Sequence, residues 1–185
     1  MTEQFKGFDA LDWIDQYFAG RAKLNFDQLR PVLCFSLIWN LFETVACHRK
    51  ADPNSIRQAV DQAVDRGRLS QVTYVKYVEY FRSRYLHDGN IDHVFAVFIL
   101  DHERSKAVVR GVLLDEMQDL NNIVYALLLI ANRVRNNLFH GNKRLETLHT
   151  QTELFHVVNS LLATFLEDFH PGQMPHLQRE AENIQ

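Results

Sequence analysis

The sequence predicts an all-α fold, an antiparallel bundle of four or more long helices. Three observations predict it. Apolar residues recur at spacings of three and four along nearly the whole chain, the 7 glycines and 4 prolines fall almost entirely between those periodic segments, and the connections between segments are short. A chain of 185 residues, 46% of them hydrophobic, is close to one ordinary domain and buries a sizeable core without staples. We expect a single helical domain over residues 1–170 and a polar C-terminal tail over 171–185.

The first helix is expected after Asp9 as its cap, with Leu11, Ile14, Tyr17 and Phe18 on one face and Gly20 as its stop. The second covers about residues 27–47. Asp27 caps it, and Pro31 falls in the first turn, where backbone N–H groups have no helical partner. A shorter third helix starts at Asp52-Pro53, carries Ile56, Ala59, Val60, Ala63 and Val64, and stops at Gly67. Ser70 starts a fourth, which turns Val75, Val78, Phe81 and Tyr85 toward a core. It breaks at the turn formers His87-Asp88-Gly89-Asn90. Residues 94–100 fit both a buried helix and a strand, with helix the expectation, because a short apolar run does not declare its period. Residues 101–106 read as a charged connection or as helix surface. The longest helix covers about residues 115–140, with Leu120, Val124, Leu127, Ala131, Val134 and Leu138 spaced like a bundle seam and Gly141 as its stop. A last helix begins near Thr150, where Thr150 and Glu153 have capping-box spacing. It presents Leu154, Val158, Leu161, Leu162, Phe165 and Phe169 before His170-Pro171-Gly172 ends it.

Composition removes several classes of function. A net charge of −3 argues against general coating of polyanions, while leaving room for a local basic patch. The longest apolar runs, residues 123–131 and 94–100, fall far short of the roughly 18 residues of a membrane helix. Glu3, Asp9 and Asp12 stand where a secretory signal carries a basic and then an apolar stretch. The expectation is a cytoplasmic protein with no membrane partner. Cys34 and Cys47 are 13 apart within one helix, about 20 Å, and cannot bridge each other. Gly-rich phosphate loops, G-x-S-x-G and H-E-x-x-H are absent. His87, His93, His102 and Glu103 follow no metal-ligand spacing, so neither metal nor cofactor is expected.

Two regions stand out for chemistry. On the second helix Ser36, Asn40, Glu43, Thr44 and Cys47 repeat at four, three, one and three positions, forming one polar stripe. Such a stripe either faces water at the bundle edge or needs partners, and a buried Glu43 would have to meet a base. The bases lie late in the long helix, where Arg133, Arg135, Lys143 and Arg144 fall within 12 positions with no acid until Glu146. This is the one place where a weakly acidic protein could hold a phosphate, although bases also favour any helix C-terminus. Asn132, Asn136 and Asn137 add neutral donors and acceptors, and His140 exchanges a proton near neutral pH. An ideal helix nearly eclipses Arg133 and His140, whereas Arg135 and His140 are about 140° apart and meet only if the helix ends or deforms between them. Asn136-Asn137 is suited to that, since short polar side chains compete for backbone hydrogen bonds. On the fourth helix Tyr74, Lys76, Tyr77, Tyr80, Arg82, Arg84 and Tyr85 interleave aromatics with bases, a pattern that stacks single-stranded RNA or simply divides into core and solvated faces.

Arg135-Asn136-Asn137-Leu138-Phe139-His140-Gly141 resembles the R-x4-6-H signature of the HEPN superfamily, in which Arg and a polar residue precede a His. Arg133 also fits the loose spacing; Arg135 has Asn136 as its polar neighbour. A helical bundle with the motif late in a long helix, and an earlier helix containing Trp39, Asn40 and Glu43, extends the resemblance. It implies a metal-independent endoribonuclease cleaving single-stranded RNA in a toxin–antitoxin or antiviral setting, with an antitoxin protein as a further partner; the alternative is a noncatalytic HEPN-like module binding RNA, a nucleotide or a protein. It also implies a homodimer that brings two motifs to one cleft. Arg135, His140 and Asn136 would then be catalytic, Arg133, Asn137, Lys143 and Arg144 would bind substrate, and Asn40 and Glu43 would support them. Relatives silenced by nucleotide transfer carry Tyr two residues after the His; here that residue is Asn142, which speaks against that form of control.

Overall fold

The computed structural model describes residues 10–18, 26–91, 103–139 and 150–171. Among these the protein is predominantly helical: α1 (Ala10–Phe18), α2 (Phe26–Val45), α3 (Pro53–Asp65), α4 (Gln71–Tyr85), a small hairpin of β1 (Leu86–His87) and β2 (Asn90–Ile91), α5 (Glu103–Leu113), α6 (Leu120–Phe139) and α7 (Thr152–Phe169). No helix among the described residues is long and apolar enough to cross a membrane. The expected cap Asp9, the stop Gly20, residues 94–100 and residues 172–185 lie outside the described residues.

Local chemistry sets the clearest boundaries. Asp52 caps α3 by accepting from the Ser55 amide at 2.9 Å, while the Ser55 hydroxyl accepts from the Asp52 amide at 3.0 Å. That reciprocal box, with Pro53 at the first helical position, satisfies two amides that a helix start leaves orphaned. Gly67, at φ +63°, ends α3 where a side chain would be strained. The turn formers at 87–90 close the hairpin. Asp88 and Gly89, at φ 52° and 75°, are the two left-handed residues that a tight antiparallel turn requires, and Leu86 pairs with Ile91.

The core is built on α6, whose residues 123–132 are all buried. α3, α4, α5 and α7 pack against α6, and α2 lies chiefly on α7. Helix directions follow from paired residues. Asn132 Nδ2 donates to the Ala51 carbonyl at 3.2 Å, just before α3, and Asn121 Nδ2 donates to Asp61 at 2.6 Å, so α3 and α6 are antiparallel. Tyr74 bonds Asp168 at 2.7 Å and Tyr77 bonds Ser160 and Thr164 at 2.9 Å each, so α4 and α7 are antiparallel. Asn159 Nδ2 donates to the Pro31 carbonyl at 2.8 Å, and Phe42 meets Phe165 at 5.9 Å between ring centroids. α2 and α7 therefore run in the same direction.

Four expectations change. Asp27 is the second residue of α2 and not its cap, and Pro31 is the sixth, two residues deeper than expected, because the helix begins at Phe26. On α4 the buried face carries Tyr74 and Tyr77, and Val75 is exposed; the phenols reach polar partners on α7, which lets their large rings be buried in place of a smaller valine. The long helix starts at Leu120. Residues 103–113 form the separate helix α5, closed by the Glu116 and Met117 amides donating to the Gly111 carbonyl at 2.7 and 3.0 Å. α7 starts at Thr152 with Gln151 as its cap and no side-chain capping bond, in place of the box expected from Thr150 and Glu153.

Candidate nucleic-acid site

Arg135 and Asn136 sit in the last turns of α6, both half-buried. Arg135 Nη1 donates to Asn136 Oδ1 at 3.1 Å, and the guanidinium carbon lies 5.4 Å from the centroid of the Phe139 ring. Residues four apart share a helix face, which is why Phe139 meets the arginine. The ring stays exposed, offering a platform to bases as well as to the cation. Arg135 Nε is buried without a hydrogen-bond partner. The ion pairs found among the described residues use Lys50, Arg82 and Lys106, and no described carboxylate pairs with Arg135. A guanidinium fixed in direction but unspent in charge suits a planar phosphate oxygen pair.

Arg133 is half-buried and Asn137 is buried on the same helix. His140, Lys143 and Arg144 lie outside the described residues. The polar stripe of α2 divides in two. Asn40 and Thr44 are exposed, while Cys47, expected within the helix, lies in the turn past its end at Val45 and is buried, its thiol pushed up to about 12 chiefly by desolvation. Glu43 turns back on its own connection and accepts the Ala51 amide at 3.1 Å. Since Asn132 holds the carbonyl of the same Ala51, Glu43 and α6 grip one residue from two sides and meet no base there.

Sequence spacing identified Arg135 and Asn136 but passed over Phe139, although its position four residues after an arginine is a readable signal for a cation–π contact. Of the aromatics on α4, Tyr74 and Tyr77 are buried in bonds to α7 and have no face for RNA. Tyr80 and Tyr85 are half-buried in the last turns of α4. Burial raises both phenols above their ordinary value, and the Arg84 charge beside them opposes that shift.

Among the described residues no group of three His, Cys, Asp or Glu side chains is placed to hold a metal ion. A cleft of about 450 Å³ between the hairpin and α5 is lined by Gly89, Asn90, Lys106 and Arg110 among others, and none of the predicted site residues borders it. No family model, curated protein or solved structure matches this chain.

Proposed function

We propose that this chain is a HEPN-type, metal-independent endoribonuclease with a HEPN-like helical bundle, acting on single-stranded RNA as a homodimer in toxin–antitoxin or antiviral defence. The observation that carries the reading is Arg135: half-buried, aimed by Asn136, laid over Phe139 and free of any described carboxylate. In the reaction a His140 takes the proton of a ribose 2′-hydroxyl, and the oxygen attacks the adjacent phosphorus. A P–O bond forms to the 2′-oxygen and the bond to the 5′-oxygen breaks, leaving a 2′,3′-cyclic phosphate. A second His140 returns a proton to the departing 5′-oxygen, while Arg135 stabilises charge on the phosphate. One chain offers one such His, so the acid and the base come from two copies.

The second copy has a surface to use. Between Arg30 and His48 the exposed residues of α2 are Leu33, Leu37, Asn40, Leu41 and Thr44, with no charge among them. Leucines at spacing four form a self-complementary face that meets its own copy without like-charge repulsion. The start of α2 shares an end of the fold with Arg135. A pairing that runs the two α2 helices in the same direction therefore keeps both arginines on one side.

Incubating the wild type and His140→Ala with labelled single-stranded RNA in EDTA tests the reading. Cyclic-phosphate ends from the wild type alone are expected. Cleavage that persists in His140→Ala, or cleavage of an all-deoxy strand, contradicts it, and RNA binding without any cleavage points to the noncatalytic alternative.

A further inference from the structure

We propose that Arg84, on α4, is a second phosphate-binding residue of the same RNA site, gripping the strand at a phosphate other than the one held by Arg135. This rests on the RNA reading of Arg135 and extends the site to a helix outside the motif.

The first argument is placement. α4 and α7 are antiparallel and in register through Tyr74 with Asp168 and Tyr77 with Ser160 and Thr164. Continuing that register brings Tyr80 and Arg84 to the first turns of α7, and the Glu153 charge there acts on Tyr80. At the other end of α7, Phe169 lies under the Arg66 guanidinium, 5.5 Å from its carbon. Arg66 closes α3, whose last turns meet the start of α6 through Asp61 and Asn121. The start of α7 therefore belongs with the last turns of α6, which carries Arg84 toward the end of the fold that holds Arg135, while Arg82, two residues earlier, reaches back to Asp115 in the α5–α6 connection at 2.6 Å.

The second argument is construction. Arg135 has an aromatic flank, a fixed direction and a buried Nε without a hydrogen-bond partner. Arg84 repeats the pattern: its guanidinium carbon is 5.7 Å from the Tyr85 ring centroid, and its Nε is likewise buried without a partner. The neighbouring Tyr80 hydroxyl is also buried and unpaired. Arg84 lies against both the Tyr80 and the Tyr85 phenols and lowers both against the rise that burial imposes. A buried Nε left without a partner costs free energy in the free protein.

The third argument is charge. Described residues at this end include Arg30, Arg84, Arg133 and Arg135, against the acids Asp27, Glu153 and, in the hairpin that follows α4, Asp88. In a chain of net charge −3, such a surplus favours a polyanion at this end. Guanidinium groups alternating with rings are the arrangement that holds a single strand by its phosphates and bases.

The test is fluorescence anisotropy with a labelled polyuridylate of about 12 nucleotides across a salt series, in the full chain carrying His140→Ala to prevent turnover. Adding Arg84→Gln is expected to weaken binding about 5- to 10-fold and to lower the slope of log affinity against log salt by about 0.7, the share of one phosphate on a single strand. Arg84→Lys should keep the slope. A merely structural arginine would change the melting temperature and leave the slope alone, and that result overturns the proposal. If Arg135→Gln weakens binding while Arg84→Gln matches its parent, Arg84 is no RNA contact and the Arg135 reading stands; if the parent itself shows no salt-dependent binding, both fall. Should Arg84→Gln fail to fold, the Nε–Hε resonance of Arg84 decides in the parent protein: a shift on adding the polyuridylate is expected, and an unmoved resonance overturns the assignment.

Discussion

Tyr74, with no exposed surface, donates its hydroxyl to the carboxylate of Asp168 across 2.7 Å, tying the first turn of α4 to the last turn of α7. Desolvation raises the Asp168 carboxyl above its ordinary value, and the tyrosine bond opposes that rise. A carboxyl whose folded value exceeds its unfolded one holds its proton more tightly in the folded state. Its contribution to folding is fully present below the ordinary carboxylate range and is lost as pH rises through the folded value. Melting temperature is therefore expected to fall on this group's account as pH rises from about 4, and Asp168→Asn to flatten that dependence. Tyr74→Phe removes the one bond that helps the ionised form, and it should cost about 1–2 kcal/mol at neutral pH and steepen the dependence. A pH series of thermal melts on the three proteins checks all of this.

These contacts also show where sequence reading stops. The α3 start was legible because its information is local: Asp52, Pro53 and Ser55 are within a few residues of one another. The α4 core face was not, because spacing alone ranks Val75 with Val78 and Phe81. What decides is whether Tyr74 and Tyr77 find polar partners on a helix more than 80 residues away, and no local pattern records that.

Gly111 explains why α5 stops where it does. A Cβ built there would lie 2.9 Å from both Cγ and Sδ of Met117, and the Gly111 carbonyl receives the two amides that close the helix. Gly111→Ala gains up to about 1 kcal/mol of helix propensity but overpacks by about 1–3 kcal/mol, so net destabilisation is expected. Combining it with Met117→Ala removes the clash and leaves the propensity gain. A double-mutant cycle by chemical denaturation should then show coupling of at least about 0.5 kcal/mol, and strict additivity would contradict the contact.

Arg135 supplies the prediction closest to chemistry. Arg135→Gln keeps the Asn136 neighbour but removes the charge, and cleavage of single-stranded RNA should slow about 100- to 1000-fold, as when other enzymes lose a donor to a developing oxyanion. Arg135→Lys should recover only part of that loss, because a point charge lacks the planar fork and lies less well over Phe139. Fragment-release rates under single-turnover conditions decide this, and full activity in Arg135→Gln would remove the arginine from the mechanism.

The candidate site was legible to the extent that charge and spacing along one helix reveal it. Arg135 and Asn136 stood out because bases cluster where acids are missing, and the structure adds their 3.1 Å bond. The α2 stripe read as one feature, yet its residues have separate fates: Glu43 braces Ala51, Cys47 is core, and Asn40 faces outward. A helix apolar nearly all round gives periodicity no contrast, so the sequence could not say which face α7 would cover.

That uncovered face yields the last prediction. Leu37 is 71% exposed, flanked one turn away on each side by Leu33 at 54% and Leu41 at 49%, a concentration of leucine in water that soluble surfaces seldom keep unless something covers it. Leu37→Glu puts a carboxylate at the middle of the face. Because the side chain packs against little within its own chain, the melting temperature of the monomeric unit should change by only a few degrees. In the proposed dimer two copies would bring like charges together in an apolar contact, so sedimentation at micromolar protein is expected to give a dimer for the wild type and a monomer for the variant. On the proposed mechanism, in which acid and base come from different chains, RNA cleavage should fall with it. A Leu37→Glu protein that remains dimeric would show that the two copies meet elsewhere, and a monomer that cleaves RNA at the full rate would remove the need for a second His140.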